Sequence, residues 1–293
     1  MGQPLPISFA PTGMVPTKEM TPHVPVTPTE IVEDVRTAYE IGITSVHLHA
    51  RDPETGEPTW KRNVFGEIVG RIREFAPELI VCVSLSGRDW GDVDKRAAPL
   101  ELTGNRKPDM GSLTLSSMNF TESASVNSPE TVETLTERMR ERGVLPELEL
   151  FDLGMVNYAC YLTERGVLEA PHYCNLLLGN VTTAQADPVH VGTMIRDLPA
   201  DSVWALAGIG DAQVSMNTLA VALGGGVRVG LEDTIYMGPD RQQLATNEAL
   251  VRRVHELLAL NEREVMEPAA LRERLDLEPG NGAYGREQTR HYQ

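Results

Sequence analysis

Cysteine is scarce in this sequence, and the few cysteines are not arranged in pairs. Cys82, Cys160 and Cys174 are the only three among 293 residues, and they lie far apart in apolar surroundings. With no Cys-x-x-Cys spacing, the sequence does not predict a disulfide framework. We expect buried free thiols in a reducing cytoplasm.

Long hydrophobic runs and positive charge are also lacking. No apolar run approaches the ~18 residues of a membrane span, and no charged-then-apolar leader opens the chain. Lysine and arginine number 26 against 42 aspartates and glutamates, a formal net charge of −16. Such a charge repels nucleic acid and anionic lipid, so an anionic ligand must be attracted locally by arginine, lysine or a metal. We expect a soluble cytoplasmic protein with no nucleic-acid and no membrane partner.

The sequence does contain a regular alternation of strand and helix patterns. Short apolar or β-branched segments alternate with segments whose apolar residues have helical spacing. The predicted strands are residues 6–10, 43–49, 79–84, 110–116, 148–151, 172–178, 203–207 and 227–230. Eight such units predict an α/β fold, a (β/α)8 TIM barrel with its active site at the carboxyl ends of the strands. A doubly wound sheet is the alternative, but no Gly-x-Gly-x-x-Gly follows the first strand.

We expect one TIM-barrel domain over residues 1–293. Its predicted helices include residues 93–102 and, as the closing helix, residues 240–260. The glycine-rich, charged tail at 278–293 is expected to be a C-terminal arm or a subunit contact.

Two histidines at the end of the second predicted strand indicate a metal site. On a strand successive side chains alternate between faces, so His47 and His49 point the same way with their imidazoles close together. Histidine is the commonest metal ligand, and an unliganded imidazole pair buried on this apolar strand would be costly. The alternative is that two histidines share one face of an amphipathic strand by chance.

The eighth strand carries three charged residues that reach the same edge. Arg228 lies on this strand, and Glu232 with Asp233 follow its end. In a barrel the eighth strand pairs with the first, which pairs with the second, so Glu232 could complete a two-histidine, one-carboxylate zinc site with an open position. Arg228 would hold Asp233 ionised and oriented as a general base. The alternative is an acidic pair at a helix N-terminus beside a surface arginine.

Two long segments of the sequence resemble a known family. Residues 47–53 (His-Leu-His-Ala-Arg-Asp-Pro) and 225–233 (Gly-Gly-Val-Arg-Val-Gly-Leu-Glu-Asp) are similar to the signature segments of the β-keto acid cleavage enzymes, the family that includes 3-keto-5-aminohexanoate cleavage enzyme. Residues 12–18 and 25–28 resemble its opening, and residues 146–152 its middle. The resemblance covers nearly the whole chain, and two motifs in the right order are far more specific than a lone His-x-His.

The resemblance implies an oligomeric, zinc-dependent (β/α)8 barrel, a homodimer or homotetramer. The family takes a β-keto acid and acetyl-CoA and returns acetoacetate and a new acyl-CoA. It implies His47, His49 and Glu232 as ligands of Zn²⁺, and Arg228 with Asp233 as the dyad that generates the nucleophile. Substrate chelated through its 3-keto and carboxylate oxygens would become acidic at the carbon between them.

The residues that would bind the substrate carboxylate match the family only in part. The family's Ser-Thr-Gly-Gly segment falls on Ser-Leu-Ser-Gly, so Ser84 and Gly87 match, and Ser86 is an alternative source of the hydroxyl. The family's hydroxyl before the Val-Asn-Phe run falls on Ser117. Glycine permits close approach of backbone N–H groups to the carboxylate.

The substrate tail is where this sequence departs from the aminohexanoate-cleaving members. An acidic residue that meets the substrate ammonium is replaced by Met14, which predicts poor use of a 5-amino substrate. Arg88 and Arg106 could instead anchor a second carboxylate, or serve as surface or CoA-phosphate arginines. A pocket lined by Met14 could equally hold an apolar tail.

Two functions from other classes remain open at this stage. A hydrolase of the amidohydrolase type also places His-x-His at a strand end, but it needs a bridging lysine, and Lys61, Lys95 and Lys107 are poorly placed for that. A non-catalytic, zinc-bound scaffold is the other alternative.

Overall fold

Parallel strands close into an eight-stranded barrel in the computed structural model, which describes residues 2–278, 280 and 282–287. A two-stranded antiparallel hairpin, β5 with β6, is inserted after the fourth barrel strand. The strands are β1 (Ile7–Phe9), β2 (Ser45–Leu48), β3 (Ile80–Val83), β4 (Met110–Thr114), β5 (Met118–Asn119), β6 (Ala124–Ser125), β7 (Leu145–Leu150), β8 (His172–Leu178), β9 (Ser202–Gly208) and β10 (Gly226–Val229). The predicted (β/α)8 barrel is confirmed.

Helices alternate with the barrel strands. They are α1 (Pro28–Ile41), α2 (Arg62–Phe75), α3 (Val93–Ala97), α4 (Pro129–Arg142), α5 (Leu153–Glu164), α6 (Pro188–Arg196), α7 (Gln213–Leu223), α8 (Asn247–Leu260) and α9 (Pro268–Arg274). Helix α1 shows how the sequence sets a boundary. Thr27 Oγ1 accepts from the backbone N–H of Glu30 at 3.2 Å, and Glu30 Oε2 accepts from the N–H of Thr27 at 2.9 Å. This reciprocal capping box satisfies two N–H groups that the helix leaves open.

Two predicted helices differ from the observed ones in their bounds. The closing helix begins at Asn247 rather than at 240, because Thr246 caps it by accepting from the N–H of Ala249 and the residues before it form a turn with a bridge between Tyr236 and Leu244. The helix predicted at 93–102 ends at Ala97. A 3₁₀ turn, Ala98–Glu101, continues it around Pro99, which has no N–H to donate.

The register of three neighbouring strands brings the ends of β2 and β10 together. Ser8 on β1 pairs in register with Arg228 on β10 and with Ser45 on β2. One short strand therefore separates β10 from β2, as predicted. Side chains that leave the carboxyl ends of these two strands meet at the barrel mouth.

The barrel interior changes from apolar to polar along its axis. Inward-facing apolar side chains on several strands pack together near the amino ends of the strands, where Leu271, Leu275 and Leu277 close the barrel from below. Toward the carboxyl ends the buried side chains include His47, Glu147 and Arg228. A larger apolar layer between strands and helices surrounds the barrel. The polar end is therefore where chemistry can occur.

The described part of the C-terminal segment lies against the amino end of the barrel. Glu278 forms an antiparallel bridge with Gly285, and the guanidinium of Arg73 lies 3.6 Å from the ring centre of Tyr284. Buried Asp109 binds Arg73 at 2.6 Å and Arg272 at 2.7 Å. Residues 279, 281 and 288–293 of the predicted arm lie outside the described residues.

The structure also bears on the cysteines and on the expected lack of a membrane span. Cys82 and Cys174 are buried free thiols as expected, whereas Cys160 is half-exposed because it lies on the outer part of α5. No described helix combines the length and the apolar character that crossing a membrane requires.

Candidate active site

Two imidazoles stand side by side at the carboxyl end of β2. His47 lies on the strand and His49 just beyond it, so strand alternation directs both to the barrel interior. Their Nε2 atoms are 3.4 Å apart, and both residues are buried. The two nitrogens are close enough to bind one ion.

His47 is fixed from behind by a fully buried carboxylate. Glu147 on β7 lies 2.5 Å from His47 Nδ1, and it also accepts from Asn175 Nδ2 at 2.7 Å and from Cys82 Sγ at 3.1 Å. Because Nδ1 is held by Glu147, Nε2 is the nitrogen that faces the mouth. Burial disfavours the charged imidazole, but Glu147 and Glu232 outweigh it and raise the pKa of His47 to about 9.

Glu232 reaches the two histidines from the end of β10. Its Oε1 lies 3.2 Å from His49 Nε2 and 3.9 Å from His47 Nε2. Arg228 Nη2 donates to the same oxygen at 2.7 Å, while Oε2 is buried with no hydrogen-bond partner among the described residues. Burial opposes ionisation, but His49, Arg228 and His47 hold the pKa of Glu232 well below its usual range.

This donor set fits a zinc ion. Single ligand atoms of His47, His49 and Glu232 all lie within 4.8 Å of one another. Two imidazoles and one carboxylate are a ligand set that Zn²⁺ takes in catalytic sites, where a fourth position stays open. Glu232 Oε2 has no partner among the described residues, and Glu147 holds His47 from behind. Both features are typical of a metal site, and a simple ion pair needs neither.

Arg228 holds a second carboxylate beside the first. Its Nε and Nη2 donate to Asp233 Oδ2 at 3.1 Å and Oδ1 at 3.2 Å, so the predicted pairing of Arg228 with Asp233 is present. Burial raises the pKa of Asp233 although the guanidinium opposes this. A fixed carboxylate with a raised pKa is a better proton acceptor than an exposed one.

A recess opens next to His49, and three of the sequence-predicted binding residues line it. Ser84, Ser86 and Met14 share its wall with His49. The backbone N–H of Ser86 donates to Ser84 Oγ at 3.3 Å, and the N–H of Arg88 donates to Ser86 Oγ at 3.3 Å. Each hydroxyl oxygen therefore accepts a hydrogen bond from a backbone N–H and keeps its own proton to donate to a ligand.

Gly87 and Ser117 are connected to the recess through a buried arginine. Arg96 donates to Leu85 O at 2.8 Å and to Asn127 Oδ1 at 2.7 Å, and the N–H of Asn127 donates to Ser117 Oγ at 2.8 Å. A Cβ on Gly87 would lie 2.7 Å from Arg96 Nη1. The guanidinium of Arg96 therefore leaves no space for a side chain at position 87. The sequence pattern does not reveal this reason for the glycine.

The two arginines considered for the substrate tail lie in different places. The guanidinium of Arg88 stacks over the ring of Phe120 at 3.6 Å, and the charge of Glu232 acts on it. Arg106 lies along α2, where its Cγ is 3.4 Å from a Cβ built on Gly70. Arg88 is near the mouth, and Arg106 is on the outer layer of the barrel.

Sequence reasoning missed the roles of Glu147 and Arg51. Glu147 lies on a strand buried on both faces, so its charge needed a partner, but nothing in the pattern named His47. Arg51 is buried, and it donates to Gly13 O at 3.0 Å and Pro16 O at 3.0 Å. It thereby fixes the loop that carries Met14. The available signal was that both residues lie in segments that resemble the family, 47–53 and 146–152.

The barrel and its mouth first define the class of protein: this is a (β/α)8-barrel enzyme. The model of the beta-keto acid cleavage enzymes matches residues 4–277. The chain belongs to the β-keto acid cleavage enzyme family, whose named members act on β-keto acids as cleavage enzymes or acetyl-CoA transferases. It is an acyltransferase that cleaves a carbon–carbon bond.

Several characterised relatives are similar over most of their length. The 3-keto-5-aminohexanoate cleavage enzyme of Fusobacterium nucleatum subsp. nucleatum is 35% identical over 279 residues, covering 94% of this chain and 99% of the relative. The 3-oxoadipate:acetyl-CoA acetyltransferase of Cupriavidus necator is 37% identical over 260 residues, covering 87% and 88%. The 3-dehydrocarnitine:acetyl-CoA trimethylamine transferase of Rhizobium meliloti is 31% identical, covering 92% and 96%.

Solved structures agree with the fold. The ternary complex of ObcA with a C4-CoA adduct and oxalate superposes with a TM-score of 0.77 at 21% identity, covering 87% of this chain and 68% of that one. At this identity the likeness shows the barrel alone.

Proposed function

We propose that this protein is a zinc-dependent β-keto acid cleavage enzyme. It joins the β-keto acid to the acetyl group of acetyl-CoA and then cleaves the adduct into acetoacetate and a new acyl-CoA. The observation that carries the proposal is the convergence of His47, His49 and Glu232 next to the Arg228–Asp233 pair. We include in the proposal the homo-oligomeric state, a dimer or tetramer, that the family resemblance implies.

In this proposal His47, His49 and Glu232 hold the metal. Zinc bound there would supply a Lewis acid that makes the carbon between the 3-oxo and carboxylate groups of the substrate acidic. Glu147 supports this arrangement by fixing the ring of His47 through Nδ1. Arg228 balances the carboxylates of Glu232 and Asp233, which would otherwise repel each other.

Asp233 is the base that takes the proton from carbon 2 of the substrate. Burial raises the pKa of its carboxylate, and two hydrogen bonds from Arg228 fix its orientation. Only modest base strength is needed once the carbon is acidified. The guanidinium keeps Asp233 in place whether or not it holds the proton.

The hydroxyls of Ser84 and Ser117 bind the substrate carboxylate. Each accepts from a backbone N–H, of Ser86 and of Asn127 respectively, so each can donate its own proton. Ser86 lines the same recess and can replace Ser84 in this role. Gly87 places its backbone in the same loop, above Arg96.

The reaction balances with no further reagent. Carbon 2, deprotonated by Asp233, attacks the acetyl carbonyl, and CoA leaves as the thiol. The thiol then adds to the original 3-oxo carbon, and the bond between carbons 2 and 3 breaks. Carbons 1 and 2 of the substrate plus the acetyl group form acetoacetate, and the rest leaves as acyl-CoA.

A metal-dependent hydrolase of the amidohydrolase type is less well supported. Lys61 is exposed, and its ammonium pairs with Asp52 at 2.7 Å. Among residues 2–278, 280 and 282–287, the ligand groups that converge are the proposed one and a second, His47 with Cys82 and Glu147, which shares His47. Among these described residues no third histidine joins either group.

The test is to incubate the zinc-loaded protein with acetyl-CoA and a panel of β-keto acids and to identify products by mass spectrometry. We expect acyl-CoA and acetoacetate in equal amounts. Acid release without acetyl-CoA would favour the hydrolase, and metal binding without turnover of any panel member would favour a non-catalytic scaffold.

A further inference from the structure

One sector of the helical layer around the barrel carries very little charge. Helices α1, α2, α4 and α8 contain between four and seven Asp, Glu, Lys or Arg residues each. Helices α5, α6 and α7 contain two such residues between them, Glu164 and Arg196, and each is the last residue of its helix. The strands that precede these helices, β7, β8 and β9, are neighbours in the barrel. The three outer surfaces therefore form one region, the α5–α7 face.

Apolar side chains on this face are exposed. Each of the three helices contributes at least one, and they are Leu153 (43% exposed), Tyr161 (46%), Val189 (72%) and Leu223 (52%). The ring of Tyr161 also stacks on that of Tyr158, with 6.0 Å between the ring centres. Single exposed apolar residues are normal on a protein surface, but a patch that spreads over neighbouring elements marks an interaction surface. The α5–α7 face has the character of a protein–protein interface.

The charge of the chain indicates which partner fits this face. At a net charge of −16, two copies of the chain repel each other. Salt screens charges beyond about 8 Å at physiological ionic strength, so the repulsion depends on the charges close to the contact. On the α5–α7 face Arg196 is already paired with Asp197, to which it donates two hydrogen bonds of 2.7 Å. Two acidic copies can therefore approach each other through this face at low electrostatic cost.

A cationic partner would be attracted to other helices. Helix α1, for example, contains four acidic residues and one basic residue. A partner that recognises negative charge gains more from such a surface than from a face that has almost none. The charge distribution therefore favours a second copy of the chain as the occupant of the α5–α7 face.

The size of the face also suits a dimer. Its helices are 9 to 12 residues long, so each measures about 14–18 Å. With helix axes about 10 Å apart, the three outer surfaces cover about 500 Å². A stable interface buries about 800 Å² on each partner, with an apolar centre and a polar rim. The face supplies the centre, and the charged residues at its margins supply the rim.

We propose that the α5–α7 face is the surface on which a second copy of this chain docks. The same face would meet itself across a two-fold axis, as in most homodimers. The inference rests on the homo-oligomeric state in the proposed function and is independent of the reaction. It assigns that state to named helices, with Val189 on the middle helix near the centre of the contact.

Two substitutions of opposite charge test the face. Val189→Glu places a carboxylate in the first turn of α6, and Leu223→Lys places an ammonium in the last turn of α7. Both charges suit the helix dipole at their positions, so folding should be preserved. Either charge, buried without a partner between two copies, should weaken self-association about 100-fold or more. Leu223→Lys also reduces the net negative charge, so general repulsion would predict stronger association instead.

Sedimentation velocity of the zinc-loaded protein over a range of concentrations measures the mass in solution. We expect wild type to sediment as a dimer or tetramer and both variants at half that mass, with wild-type thermal melting of the protomer fold checked by circular dichroism. Met20→Glu is the matched control, because Met20 is 46% exposed on the loop between β1 and α1. It should keep the wild-type mass.

The possible failures are distinguishable. Variants that fold and keep the wild-type mass would overturn the assignment of this face and leave the oligomer intact. A wild type that is monomeric at every concentration would overturn both. Neither result bears on acyl-CoA formation, which is measured separately with the β-keto acid panel.

Discussion

Replacing Glu147 with glutamine tests whether the carboxylate behind His47 serves a metal site. In the wild type, Glu147 accepts hydrogen bonds from His47 Nδ1, Asn175 Nδ2 and Cys82 Sγ, all inside the barrel. Glutamine has almost the same shape, but one of its two terminal atoms is a donor. The NH₂ group of the glutamine must face one of the groups that donate to Glu147 in the wild type. The negative charge of Glu147, which makes the imidazole of His47 a stronger ligand, is also lost.

The expected loss in zinc affinity is about 10- to 100-fold, or about 1.4–2.8 kcal/mol, as for other carboxylates that hold a ligating histidine. Competition against a chromogenic chelator at neutral pH measures this affinity directly. An affinity within about twofold of wild type would refute the role that we assign to Glu147.

Asp109→Asn is the control for damage to the fold. Asp109 is as deeply buried as Glu147, but it binds Arg73 and Arg272 at the opposite end of the barrel. Breaking such a buried pair costs about 3–5 kcal/mol of folding stability. We expect Asp109→Asn to lower the unfolding temperature and, below that temperature, to bind zinc as the wild type does.

Three further predictions concern the base, a glycine and a helix cap. Asp233→Asn should abolish acyl-CoA formation while zinc, measured by elemental analysis, stays bound at one ion per chain; an unchanged rate would exclude Asp233 as the base. Gly230→Ala should impair folding or zinc binding, because its Cβ would lie 2.0 Å from Ala10 O just before Glu232; a variant with wild-type melting and metal content would contradict this. Burial disfavours the Glu30 carboxylate, but Lys18 and the N–H groups of Thr27 and Val26 outweigh it and lower its pKa from 4.5 to about 2. Because the folded pKa is lowered, the stabilisation is complete above pH 4.5 and is lost as the pH falls toward 2. Glu30 is 37% exposed, so solvent screens part of this stabilisation, and denaturant unfolding should show wild type more stable than Glu30→Gln by about 1 kcal/mol at pH 7 and by much less near pH 2.

The sequence predicted the barrel because each structural unit is encoded locally. Short apolar segments such as residues 79–84 favour strands buried on both faces, and capping residues such as Thr27 and Ser128 mark where helices begin. Alternation on a strand likewise placed His47 beside His49. Family resemblance then supplied the chemistry, which no periodicity contains.

The remaining features depend on contacts between residues far apart in the chain. Glu147 meets His47 across 100 residues of sequence, and Arg96 meets Asn127 across 31. Neither pair has a spacing that a helix or strand imposes. The walls of the recess beside His49 likewise come from separate loops, so the sequence showed Met14 but not Trp60 and Trp90, which line the same recess.

The most direct test of the account follows the carbon atoms of acetyl-CoA. The zinc-loaded enzyme is given acetyl-CoA labelled with ¹³C at both acetyl carbons together with the unlabelled β-keto acid that it converts fastest in the panel, and a chelator-stripped sample is run beside it. We predict that the label appears only at carbons 3 and 4 of acetoacetate, that the new acyl-CoA is unlabelled, and that stripped protein is inactive until zinc is restored. Label in the acyl-CoA product, or full turnover without metal, would contradict the proposed reaction.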